Sequence, residues 1–181
     1  MLIERRIERG IIDKMDRKTV LSNTIFMVIM AIAAAGYARE NPAADFILPD
    51  LDGNDYRLTQ NIGQGPVLIN FWATWCIPCR AEMKQLKKLY KKYREKGLQI
   101  VSISIDDPKT VSRVKGMVKS NRYPFTVLLD TNGEVFKLYQ GLNPPLSVLI
   151  DRKGQIASSF TGYRKGDEVK LETEILSLLR E

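Results

Sequence analysis

The chain predicts an α/β fold, a central mixed β-sheet flanked by helices, and three observations carry that expectation. Apolar runs of strand length alternate with stretches of helical periodicity through the middle of the chain, the pattern of strands joined by crossover helices. The runs GPVLINFW, LQIVSISID and PFTVLLD are continuous and rich in branched residues, as strands covered on both faces are. Near the end the order changes to two strands about a tight turn and then a helix, which makes the sheet mixed.

Each element has its own signal. ADFILPDLDGNDYRLTQ reads as two short strands about an Asp52-Gly53 turn, a hairpin ahead of the main sheet. GPVLINFW is the first core strand and runs directly into WCIPC at residues 75–79. Over residues 78–96 Met83, Leu86, Leu89, Tyr90 and Tyr93 fall at helical spacing, and Gly97 stops the helix. Its opposite face carries Lys84, Lys87, Lys88, Lys91 and Lys92, read as a solvated surface. LQIVSISID is the next strand, residues 108–120 a helix, and PFTVLLD the third strand. TNGEVFKLYQG supplies a turn and a short helix with Val135, Phe136 and Tyr139 inward. PLSVLID and RKGQIASSFTG form a hairpin turning at residues 152–154. A closing helix over residues 167–179 is expected to present Val169, Leu171, Ile175, Leu178 and Leu179.

Composition narrows the chemistry. The chain has 181 residues and a net charge of +7, but its basic residues are not interleaved with aromatics in a nucleic-acid motif, so no nucleic acid is expected. It has no histidine, which excludes Cys-His and Ser-His nucleophile pairs and His-ligated metals. Two cysteines alone do not complete a zinc site, so no metal is expected.

Residues 1–38 are expected to be a secretory signal peptide or, if retained, a membrane anchor, and residues 39–181 one domain. The apolar run over residues 25–35 is eleven long, short of the ~20 that span a bilayer but within the ~7–15 of a secretory core. Small residues follow, with Gly36 and Ala38 placed for a cut after residue 38 and Ala33 and Ala35 for a cut after residue 35. Met15 opens a compact positive segment and is an alternative start of translation. The domain is therefore expected outside the cytoplasm, in the periplasm or its equivalent, where disulfides persist. Without residues 1–38 it keeps 22 basic against 17 acidic side chains, a net +5.

Cys76 and Cys79 are the only cysteines. Their C-x-x-C spacing puts them within disulfide reach, and a helix beginning at the pair aims unpaired backbone N–H groups at Cys76, favouring its thiolate. The expected chemistry is thiol–disulfide exchange, with Cys76 attacking and Cys79 resolving. A structural bridge in a non-catalytic exported module is the other reading, although so short a loop stabilises little. Trp75, beside the attacking thiol, is expected on the contact surface.

PVLINFWATWCIPCRAEM resembles the TlpA-like or ResA-like group of extracytoplasmic thioredoxin-fold proteins, within the AhpC/TSA superfamily. The resemblance runs over residues 43–179. It implies a thioredoxin-like fold in which ADFILPDLDGNDYRL is an N-terminal extension and residues 104–139 a central insertion. It implies that Cys76 is the exposed nucleophile, Cys79 the resolving thiol, and Ile77 and Pro78 the dipeptide tuning the potential. Pro145, in NPPLSVLID, matches the family's cis-proline, with Pro144 beside it in the substrate-contact region. Glu82 matches an acidic residue that handles protons near the pair; it also reads as a first-turn glutamate favoured by the helix dipole.

The chain departs from relatives at Asn70, where cytoplasmic thioredoxins have a buried aspartate; at Lys84, where many have proline; and at Leu146 and Ser147, which replace threonines. The resemblance further implies a protein disulfide or dithiol as substrate, apocytochrome c among the clients, a membrane thiol transporter of the CcdA or DsbD kind as electron donor, and no cofactor beyond the redox-active disulfide. A thiol peroxidase is the alternative enzyme, but Ala73 stands where its P-x-x-x-T-x-x-C loop needs threonine.

Overall fold

The computed structural model describes residues 40–180. The expected signal peptide or anchor, its cut and the alternative start at Met15 lie outside the described residues. Among the described residues no helix is long and apolar enough to cross a membrane.

A short hairpin comes first, β1 (Ile47–Pro49) with β2 (Asp55–Arg57), paired antiparallel. Its turn is tied by the Asp50 carboxylate, which accepts from the Asp52 and Asn54 amides at 2.8 and 2.9 Å. Gly53 there has φ 91°, a backbone shape that glycine adopts without the Cβ clash other residues meet. The main sheet holds β3 (Val67–Trp72), β4 (Gln99–Ser104), β5 (Thr126–Leu129), β6 (Leu146–Ile150) and β7 (Ile156–Thr161). Their order is β5-β4-β3-β6-β7. β3 pairs parallel with β4, and β4 with β5; β6 runs antiparallel to both β3 and β7. The segment expected as an insertion thus supplies β5, an edge strand of the sheet.

The helices are α1 (Ile77–Tyr93), α2 (Val111–Asn121), α3 (Glu134–Leu138) and α4 (Asp167–Leu178). All six residues of β3 are buried, and their alternation feeds two cores. Leu68 and Trp72 pack with Met83, Leu86, Val114, Leu171 and Ile175 of α1, α2 and α4. Val67, Ile69 and Phe71 pack on the other side with Leu48, Phe136 and Tyr139. Burying one such side chain stabilises by roughly 1.5–3 kcal/mol, so the central strand is anchored from both faces. α3 begins where the buried Asp130 carboxylate accepts from the Val135 and Phe136 amides.

One boundary and one burial differ from expectation. Residues 108–110 form a 3-10 turn, capped by Asp107, and the α-helix begins only at Val111. Val169 is 64% exposed, outside the core it was expected to join. It lies two positions from Leu171, about 200° around the helix, so the two cannot share a face.

Candidate active site

β3 ends at Trp72, and the next residues are held before α1 starts. The Thr74 amide donates to the Asp106 carboxylate at 2.8 Å, and the Thr74 hydroxyl donates to the other carboxylate oxygen. Ser104 Oγ donates to Asp106 at 2.8 Å, and the Ile105 amide donates to the Trp72 carbonyl at 2.9 Å. Asp106 is buried, so one carboxylate at the end of β4 fixes the loop that presents the cysteines.

Cys76 and Cys79 are joined as a disulfide, with Cα atoms 5.3 Å apart. Cys76 is the N-cap of α1, and the Cys79 amide points at its sulfur from 3.2 Å. Pro78 sits in the first turn of that helix, where its missing N–H costs no hydrogen bond. Because the amides at a helix start lack partners within the helix, an anion on Cys76 Sγ meets the positive end of the dipole. Cys79 is fully buried, whereas Cys76 keeps a 5% opening to the surface between Trp75 and Ile77, exposed by 64% and 71%. The Pro144–Pro145 peptide is cis. The Pro144 carbonyl oxygen, in that cis peptide, lies 3.6 Å from Cys76 Sγ.

Glu82 follows Cys79 by three residues on the buried side of α1 and is only 4% exposed. It lies beyond the first turn, so the dipole reading of this residue fails. Asn70 Nδ2 donates to its Oε2 at 2.9 Å and Ser147 Oγ to its Oε1 at 2.9 Å. Asn70 Nδ2 also donates to Ser147 Oγ at 3.1 Å, and Asn70 Oδ1 accepts from Ser102 at 3.4 Å. Burial raises the Glu82 carboxyl to about 7 against the pull of those two hydrogen bonds, and the charge of Asp167 adds to the rise. The cleft beside it, about 200 Å³, lies between α1, the end of β7 and α4 and is lined in part by Tyr163, Asp167 and Glu168. The departure at Asn70 now has a physical account: an aspartate there would set a second carboxylate against Glu82, whereas the amide donates. Sequence reasoning gave Asn70 and Ser147 no part in this group and missed Asp106 altogether.

The AhpC/TSA family model matches residues 40–159, two thirds of the chain. The chain belongs to the AhpC/TSA family. A Bacillus thuringiensis thiol-disulfide oxidoreductase ResA is 38% identical over 132 residues, covering 73% of this chain and 72% of the relative. The ResA of Geobacillus thermodenitrificans is 31% identical over 175 residues, covering 89% and 97%. Among solved structures, a Chlorobium tepidum protein described as a thiol:disulfide interchange protein DsbE superposes with a TM-score of 0.72 at 33% identity, covering 77% of this chain and 96% of that one. The fold is thioredoxin-like, and the protein is a ResA-like thiol-disulfide oxidoreductase of this family.

Proposed function

We propose that the protein works outside the cytoplasm as a reductant of protein disulfides. The observation that carries this reading is the asymmetry of the pair: Cys76 caps α1 and reaches the surface, while Cys79 is sealed beneath it. In the reduced protein the Cys76 thiolate attacks a substrate disulfide and expels one substrate sulfur as a thiolate. Cys79 then gives up its proton and attacks Cys76 Sγ, which releases the second substrate thiolate and closes the 76–79 disulfide. Two electrons pass to the substrate. No cofactor beyond the disulfide takes part.

Glu82 is the group that takes the Cys79 proton, since a carboxyl at about 7 is half ionised near neutral pH and exchanges protons in both directions. Trp75, Ile77, Pro144 and Pro145 form the surface on which substrate backbone lies, with Pro78 fixing the turn between the sulfurs. Apocytochrome c is one client, and a membrane thiol transporter of the CcdA or DsbD kind returns electrons to the oxidised pair. Residues 1–38 bring the domain across the membrane.

Resolution by Cys79 is what clears the mixed disulfide from Cys76. The full chain carrying Cys79→Ala, reduced and mixed with a disulfide-bonded protein, is expected to accumulate an adduct through Cys76 that a small thiol releases. The Cys76→Ala variant is expected to form none. An adduct that fails to form with Cys79→Ala, or forms equally with Cys76→Ala, overturns the assignment.

A further inference from the structure

Basic charge is concentrated on one side of the redox pair. Along α1, Arg80, Lys84, Lys87 and Lys91 recur at the spacing of a single helix face. The only carboxylate of α1 is the buried Glu82, and α2 has none. Between the two helices lies a groove of about 470 Å³, rimmed by Arg80, Lys84 and Arg113 and floored by Met117 and Tyr123. All three rim cations are exposed, and among the described residues none of them is in an ion pair. Lys87 is spent differently, with Nζ donating to the Asn121 carbonyl at 2.6 Å. Lys92, on the α4 side, pairs with Glu172 at 2.7 Å. Asp107, the acid at the start of α2, caps its own turn on the Lys109 amide at 2.8 Å.

We infer that this groove docks an acidic segment of the substrate protein next to its disulfide, a choice of substrate that rests on the reductase reading above. Charge complementarity and position together carry it. Arg80 is four and Lys84 eight residues beyond Cys76, which is about 6 and about 12 Å along the helix axis. An extended peptide advances about 3.3 Å per residue, so an acid about two to four residues from the substrate cysteine reaches the rim while that cysteine meets Cys76. Tyr123, stacked on Phe125 with ring centres 5.4 Å apart, and Met117 offer an apolar floor to the side chains between. The arrangement selects clients by the charge flanking their disulfide and speeds encounter, as clefts of one sign do.

The test uses the reduced full chain and two cysteine peptides, each carried as a mixed disulfide with a small thiol. One has glutamates three and four positions from the cysteine, the other glutamines. The glutamate peptide is expected to be reduced about tenfold faster at low ionic strength, the advantage collapsing at high salt. The combined Arg80→Gln, Lys84→Gln and Arg113→Gln variant is expected to lose the advantage, and Lys153→Gln, at the β6–β7 turn, to keep it. Equal rates for the two peptides in the unaltered protein overturn the inference and leave the reductase reading standing. If neither peptide is reduced, that reading fails and the inference with it. Binding to phosphatidylglycerol vesicles that the triple variant loses, without any peptide preference, makes the groove a lipid site and also overturns it.

Discussion

Replacing Glu82 by glutamine removes one buried ionisable group and leaves its shape. The unaltered carboxyl sits at about 7 in the folded protein against an ordinary 4.5. Because the folded value is the higher one, the folded state binds the proton more tightly, so Glu82 costs little below pH ~4.5, progressively more as pH rises to about 7, and a constant amount once both states are ionised. Between pH 5 and 8 those two values give a loss of roughly 2–3 kcal/mol from this one group. The substituted glutamine does not titrate, so the stability difference between variant and unaltered protein is expected to move by that amount in favour of the variant over the same range. Taking the difference cancels the other carboxylates. At pH 5 the variant is expected to be the weaker by about 1 kcal/mol, because its amide oxygen keeps the Asn70 donor while its NH2 faces Ser147 Oγ, which has to turn from donor to acceptor. Urea denaturation of both oxidised proteins at the two pH values measures it. A difference that stays constant from pH 5 to 8 refutes the claim that burial raises the Glu82 carboxyl toward neutrality.

Two further perturbations test the two ends of β3, the loop that leads from it to the cysteines and the turn that leads into it. Asp106→Ala leaves the Thr74 amide, the Thr74 hydroxyl and Ser104 Oγ without their shared acceptor; a loss of about 2–4 kcal/mol is expected in urea denaturation, and less for Asp106→Asn. Gly65→Ala brings a Cβ into the Gly97 backbone carbonyl, which no side-chain rotation relieves, so destabilisation by about 1–3 kcal/mol is expected from the same measurement.

What the sequence disclosed and what it withheld divide along physical lines. Continuous branched runs identified β3, β4 and β5, because burial on both faces leaves no polar alternation to misread. The position of Pro145 followed from resemblance; the structure shows the Pro144–Pro145 peptide cis, with the Pro144 carbonyl 3.6 Å from Cys76 Sγ. The Asn70, Glu82 and Ser147 group was not legible as a group, since its members lie 12, 65 and 77 positions apart. A signal was present all the same: Asn70, Ser102 and Ser104 interrupt strands expected to be covered on both sides, and Ser147 interrupts the apolar run of the closing hairpin. A polar side chain there must find a partner, so such interruptions announce a buried network without naming its connections. Asp106 sits at the end of one such run and bonds a loop 32 positions away. Val169 misleads because it is apolar and near the series of Leu171, Ile175 and Leu178, whose members lie on the far side of α4 and are buried there.

The direction of electron flow is the centre of the account, and the potential of the Cys76–Cys79 couple tests it most directly. The full chain would be equilibrated against thiol–disulfide buffers of defined ratio, the reaction quenched with an alkylating agent, and the reduced fraction counted by mass. A reductant is expected near thioredoxin's ~−270 mV, while a value approaching ~−120 mV belongs to an oxidant and would contradict the proposed transfer of electrons to substrate.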